Sequence, residues 1–116
     1  MAVYKLYPLQ DATLYSFYSY MNTGLDPIIE CINLNVSINP VPQVSRFLIE
    51  FDQGEINNVV DNLVGNVKFS ASLKSYIATA QGVIFDTDLE AYPISGSWNN
   101  GSGTYLDSPI TANGCS

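Results

Sequence analysis

Residues 45–52 read Ser-Arg-Phe-Leu-Ile-Glu-Phe-Asp, and this alternation sharply limits what the chain can become. Phe47, Ile49 and Phe51 fall on one face, with Arg46, Glu50 and Asp52 on the other, the period-two signature of a half-buried strand. The period returns twice. Phe69, Ala71, Leu73 and Ile77 alternate with Lys68, Ser70, Ser72, Lys74 and Tyr76. Val83, Phe85, Leu89 and Ala91 alternate with Asp86, Asp88, Glu90 and Tyr92. Ribbons with one apolar and one wet face suit an antiparallel sheet, because strands of a parallel sheet are covered on both sides.

The remaining segments extend this all-β reading. Val3–Tyr7 is a β-prone run stopped by Pro8. The first half of Ala12–Tyr20 is a strand, and Asn22-Thr23-Gly24 breaks it, with Gly24 free to take positive φ. Ile28–Val36 is the next strand, with Cys31 as a small buried hydrophobe. Pro40 and Pro42 mark a loop before the strand Val44–Asp52. Over Glu55–Val64 the period changes: Ile56, Val59, Val60 and Leu63 take the i, i+3, i+4, i+7 spacing of a helix. Asp52 and Glu55 resemble a capping box, and Gly65 suits the position after the last turn. Val67–Thr79 and Gly82–Ile94 form a hairpin across Ala80-Gln81-Gly82. Ser95–Gly103 is a long Ser/Gly/Asn loop carrying the single tryptophan, Trp98.

At 116 residues the chain is expected to form one domain, residues 1–116. Charged residues make up 13% of it, about half the usual fraction, so its polar surface rests on Ser, Thr, Asn, Gln and Tyr. Neutral groups cost less to desolvate than charges, which suits burial against neighbouring subunits or sugars. Net charge is −7, and Lys5, Arg46, Lys68 and Lys74 are too scattered for a phosphate-binding surface, so nucleic acid is not an expected partner. With no histidine and only Cys31 and Cys115, zinc has no ligand set and serine no imidazole to activate it. The two cysteines permit one disulfide without requiring it. No cofactor motif is present: Gly101-Ser102-Gly103 lacks the Lys-Ser/Thr of a phosphate loop. No stretch is long and apolar enough to span a membrane, and Met-Ala-Val-Tyr-Lys-Leu-Tyr-Pro lacks the basic segment and long apolar run of a signal peptide, so none is expected.

Several short motifs occur in a fixed order: Asp11-Ala12-Thr13-Leu14-Tyr15-Ser16, Asn22-Thr23-Gly24, Arg46 to Asp52, and Ala71-Ser72-Leu73-Lys74-Ser75-Tyr76. Trp98-Asn99-Asn100-Gly101-Ser102-Gly103 and Asn113-Gly114-Cys115-Ser116 follow. Together they resemble the DNRLRE or disaggregatase-type β-sandwich modules, and more closely the N-terminal segments of structural proteins of tailed bacteriophages. The resemblance implies an antiparallel jelly-roll-like β-sandwich with one short helix, incomplete at its C-terminus. The chain then reads as the N-terminal part of a longer protein, or as one whose last strands come from another chain. It further implies a non-enzymatic virion protein (fibre, tail, baseplate or capsid-associated), made in the host cytoplasm and docking onto other virion proteins in a homo- or hetero-oligomeric assembly. The alternative is a carbohydrate-binding module or surface adhesin.

Three groups of residues are candidate sites. Val3, Tyr4, Leu6, Tyr15, Phe17, Tyr18 and Tyr20 are interface candidates, since aromatics concentrate at interface cores and Val3–Pro8 can add to a neighbour's sheet edge; ordinary packing is the other reading. Trp98, Asn99 and Asn100 are glycan candidates, an indole stacking on a sugar face and amides binding hydroxyls; otherwise Trp98 closes the end of the sandwich. Asp86, Asp88 and Glu90 read first as a solvated face and second as a Ca²⁺ site. No catalytic constellation is present.

Overall fold

The structure is a computed structural model and describes residues 2–34, 41–65, 68–80, 86, 88–107, 109 and 113–115. Its regular part is a three-stranded antiparallel sheet followed by one short helix. Strand β1 spans Pro8–Tyr15, β2 spans Asn33–Leu34 and β3 spans Gln43–Phe51. Their order in the sheet is β1-β3-β2.

The alternation at residues 45–52 sets the register. Thr13 lies opposite Phe47 and Asp11 opposite Ile49, while Ala12 opposes Leu48 and Leu14 opposes Arg46. Phe47 and Ile49 thus share one face with Thr13 and Tyr15, and Arg46 and Glu50 share the other with Leu14 and Gln10. Pro8 pairs with Phe51 and Gln10 with Glu50, so Leu9 is the extra residue of a bulge. The β-prone run therefore begins at Pro8 and does not stop there. Proline is acceptable as the first residue of a strand, where no ladder bond needs its missing N–H. Val3–Tyr7 forms no strand.

The helical signals work as expected. The Asp52 carboxylate caps α1 (Gln53–Asn58), accepting from the Gly54 N–H at 2.7 Å and the Glu55 N–H at 3.4 Å. The helix widens into a π-helical turn over Val59–Val64, closed by a bond from Gly65 N–H to the Val60 carbonyl at 3.0 Å. Gly65 takes φ 59°, which ends the helix. Ile56, Val59 and Val60 are half-buried, whereas Leu63 stays exposed.

Other segments depart from the reading of the sequence. Of Ile28–Val36, only Asn33–Leu34 is strand among the described residues, and Cys31 is exposed, not buried. Ser45 lies beyond this short pairing: its N–H bonds to the Ile32 carbonyl at 2.9 Å, and its hydroxyl serves Ile32 N–H and the Glu30 carbonyl. Residues 68–80 and 88–94 form no strand and are exposed. Period-two patterning specifies the faces of a strand but supplies no neighbour, and unpaired backbone groups turn to water. The expected turn at Gln81-Gly82 and the apolar positions Val83 and Phe85 lie outside the described residues, as do Val36, Pro40 and Val67.

Candidate interaction site

The described core is small and unusually polar. Ala12, Tyr15 and Met21 are its buried apolar residues, beside buried Thr13, Asn22, Thr23 and Ser45. Every buried side-chain nitrogen and oxygen among the described residues has a hydrogen-bond partner, as burial demands.

Asn22 is the centre of this arrangement. Its amide donates to the Asn100 carbonyl at 2.6 Å and the Cys115 carbonyl at 2.8 Å. It accepts from Gly103 N–H at 2.7 Å and Gly24 N–H at 3.2 Å. An amide offers two donors and an acceptor oxygen with two lone pairs, so its capacity is filled. One side chain thereby ties the turn after β1 to two distant stretches of chain. Gln10 adds to the junction, donating to the Trp98 carbonyl at 3.1 Å and accepting from Asn100 N–H at 3.2 Å. Leu25 N–H reaches the Gly103 carbonyl at 2.9 Å, and Cys115 N–H reaches the Asn99 carbonyl at 2.8 Å.

The glycines of this junction are dictated by approach. A Cβ on Gly24 would sit 1.8 Å from the Asn100 carbonyl oxygen. Gly24 does not take positive φ, so it is closeness and not a left-handed turn that requires it. Gly101 needs both: its φ is 77°, and a Cβ would lie 2.6 Å from both ends of the Asn22 amide.

Thr23 guards the free edge of β1. Its hydroxyl accepts from Thr13 N–H at 2.9 Å and donates to the Thr13 carbonyl at 2.6 Å. One hydroxyl thus stands in for a neighbouring strand and blocks that position against foreign pairing.

An aromatic cluster lies alongside. Tyr15 meets Phe17 and Tyr105 with ring centroids 5.3 and 5.4 Å apart, and Tyr18 meets Phe17, Tyr20 and Tyr105. The Tyr15 hydroxyl donates to the Glu30 carboxylate. Burial first, and then that carboxylate, hold the Tyr15 phenol well above its ordinary pKa. Burial raises Tyr105 in the same direction.

Of the interface candidates, Val3, Tyr4 and Tyr20 are exposed, while Leu6, Phe17 and Tyr18 are half-buried. Tyr15 is 3% exposed and cannot meet a partner directly. It lies opposite Ser45 in the register, and its ring packs against Phe17 and Tyr105. Of the glycan candidates, Asn100 is used internally, its amide donating to the Gly24 carbonyl at 3.1 Å. Trp98 is half-buried, and Asn99 is exposed. Asn99 lines a shallow cleft of about 460 Å³ with Gly101, Ser102, Asn113 and Gly114. Among the described residues no three ligating side chains come together, Asp86, Asp88 and Glu90 included, and Glu90 accepts from the Tyr92 hydroxyl. Cys31 and Cys115 are both free thiols. No described helix is long and apolar enough to cross a membrane.

The Asn22 role escapes sequence reasoning, which sees only an Asn-Thr-Gly turn. The nearest signal is the recurrence of Gly at 101, 103 and 114 in a stretch poor in core residues. No known family, no curated protein and no solved structure matches the chain.

Proposed function

We propose that this chain is a non-enzymatic structural component of a tailed-phage virion, a β-sandwich that docks onto other virion proteins. The observation carrying this reading is the contact between two of its motifs. Asn22 and Asn100, 78 residues apart, belong to the Asn-x-Gly turn and the Trp/Gly stretch of the resembling modules, and they are hydrogen-bonded here. A junction of glycines and amides with no charged side chain bonded to Asn22 suits a rigid presenting element. The finer architecture belongs to the proposal: the three strands supply one layer of a jelly-roll-like sandwich, and the alternating residues 68–80 and 88–94 supply strands of the other. Val3, Tyr4 and Tyr20 are the docking residues left accessible.

The test is mass spectrometry of purified phage particles, with immunogold labelling to locate the chain. Recovery in fixed stoichiometry with known structural proteins supports the reading; recovery only from the infected-cell lysate refutes it.

A second reading, a carbohydrate-binding module, is favoured by one observation, the polar cleft beside Asn99. The binding set then shifts from Trp98 and Asn100 to Asn99, Ser102 and Asn113. Glycan-array binding that Asn99→Ala abolishes would select this reading.

A further inference from the structure

We propose that Asn113 is a self-modifying site: it loses its amide to attack by the Gly114 nitrogen, and the isoaspartate that follows releases residues 113–115 from the Asn22 junction. The inference goes beyond the assembly reading and does not rest on it.

The first observation is a contrast within the chain. An Asn-Gly pair occurs twice, at Asn100-Gly101 and at Asn113-Gly114. Glycine has no side chain to shield its nitrogen or restrict its backbone, so its N–H readily reaches the side-chain carbonyl carbon of the asparagine before it. At Asn100 both reacting groups are tied. The Asn100 side-chain amide donates to the Gly24 carbonyl at 3.1 Å, and the Gly101 N–H donates to the Asn99 side-chain oxygen at 2.7 Å. At Asn113 neither is tied. Among the described residues, the Asn113 side chain and the Gly114 N–H have no hydrogen-bond partner. Both residues are exposed and line the cleft beside Asn99, so water and hydroxide reach them.

The chemistry needs only water. Hydroxide takes the Gly114 amide proton, and the nitrogen attacks the Asn113 side-chain carbonyl carbon. The bond to the amide nitrogen breaks, and that nitrogen leaves as ammonia with a proton from water, which regenerates hydroxide. Water then opens the cyclic imide. Opening at the side-chain carbon gives aspartate; opening at the backbone carbon gives isoaspartate, in which the chain runs through the former side chain. Nothing is oxidised or reduced.

The second observation is where the product falls. Isoaspartate adds a backbone carbon at a place of close approach. A Cβ on Gly114 would lie 2.5 Å from the Gly101 Cα and 2.9 Å from the Asn22 amide nitrogen, and a Cβ on Gly101 would lie 1.8 Å from the Asn113 carbonyl oxygen. The residue that follows is held by two bonds. Cys115 N–H donates to the Asn99 carbonyl at 2.8 Å, and its carbonyl accepts from Asn22 at 2.8 Å. A longer backbone just before Cys115 carries both groups out of hydrogen-bond geometry. The new carboxylate also adds negative charge to a chain already at −7. Residues 113–115 therefore let go, while Asn22 keeps its bonds to Gly24, Asn100 and Gly103. Loss of ammonia makes the release irreversible.

The experiment incubates the whole chain in reductant at mildly alkaline pH. Peptide mapping with an isoaspartate-specific methyltransferase follows both sites. Asn113 should convert roughly tenfold or more faster than Asn100, since the tied N–H must first leave its acceptor, and the rate should rise with pH. Asn99→Ala frees the Gly101 N–H and should bring Asn100 up toward the Asn113 rate. Hydrogen exchange of the aged chain should show the Cys115 N–H exposed. Asn113→Gln, which closes the imide ring poorly, should age without that change. Asn113→Asp carries the charge without the extra carbon and should keep the Cys115 N–H protected. Equal rates at the two asparagines, an aged chain with Cys115 still protected, or an Asn113→Gln chain that loosens just as fast would overturn the proposal.

Discussion

Replacing Asn22 with alanine should loosen the stretches around residues 98–103 and 113–115 from the rest of the fold. The substitution deletes four hydrogen bonds, to Gly24, Asn100, Gly103 and Cys115. A typical bond contributes about 1 kcal/mol net, and a buried group left unpaired costs about 1–3 kcal/mol. Gly103 is the one buried partner, while the others reach water and recover part of the loss. About 3–4 kcal/mol is therefore at stake, a large share of the ~5–15 kcal/mol that holds a domain together. In urea, with a slope of 1–3 kcal/mol per molar, the midpoint should fall by roughly 2 M. Limited proteolysis should cut within residues 95–107 first. Asn22→Asp is the isosteric companion. It keeps both acceptor bonds and loses the donors, turning a carboxylate toward the Asn100 and Cys115 carbonyls. Burial and those oxygens raise its pKa above the unfolded value, so its stability is greatest below about pH 4 and declines as pH rises through the folded pKa. A loss under ~1 kcal/mol for Asn22→Ala, or an Asn22→Asp variant indifferent to pH, would refute the account of this amide as the tie between the segments.

Thr23→Val keeps the shape of the side chain and removes both bonds to Thr13, so it should cost about 1–2 kcal/mol and raise aggregation, read by denaturant melts and light scattering. Gly101→Ala forces a Cβ to within 1.8 Å of the Asn113 carbonyl oxygen at φ 77°, and should lower the thermal midpoint more than Gly96→Ala, whose Cβ would meet open space. Ultraviolet titration should show Tyr15, Tyr92 and Tyr105 ionising above the ordinary range of a tyrosine phenol. Because the folded pKa of Tyr15 is raised, its contribution is full below pH 10 and is lost as pH climbs above it; Tyr15→Phe should flatten that alkaline limb. On storage at mildly alkaline pH, Asn113 should deamidate before Asn100, because the attacking amide that follows Asn100, Gly101 N–H, is held by the Asn99 side chain at 2.7 Å; peptide mapping distinguishes the two.

What the sequence reveals here divides by distance along the chain. The strand over Gln43–Phe51 and the helix capped by Asp52 are legible because their signals lie within a few residues of one another. Alternation names the faces, a carboxylate names the helix start and Gly65 names its end. Asn22 is illegible for the opposite reason. Its partners Asn100, Gly103 and Cys115 lie 78, 81 and 93 residues away, and no local pattern marks an amide that will be buried. Tyr15 shows the same limit on a smaller scale. Among the aromatic residues near it nothing local predicts that Tyr15 is buried and Tyr20 is not; Tyr105, which packs against the Tyr15 ring, and Glu30, which takes its hydroxyl, are brought there only by the fold.

The ribbons at 68–80 and 88–94 complete this argument. Their faces are as legible as those of β3, yet β3 finds β1 and β2, and they find no strand among the described residues. The difference lies in the partner. For β3, β1 of the same chain pairs along its length and sets Thr13 beside Phe47 and Asp11 beside Ile49. For the ribbons, complementary charges exist within this sequence, while the described core holds Ala12, Tyr15 and Met21 as its buried apolar residues and none from residues 68–80 or 88–94. Period-two patterning fixes which side of a ribbon is apolar; which strand pairs with it is set by contacts far along the chain, where no local signal reaches.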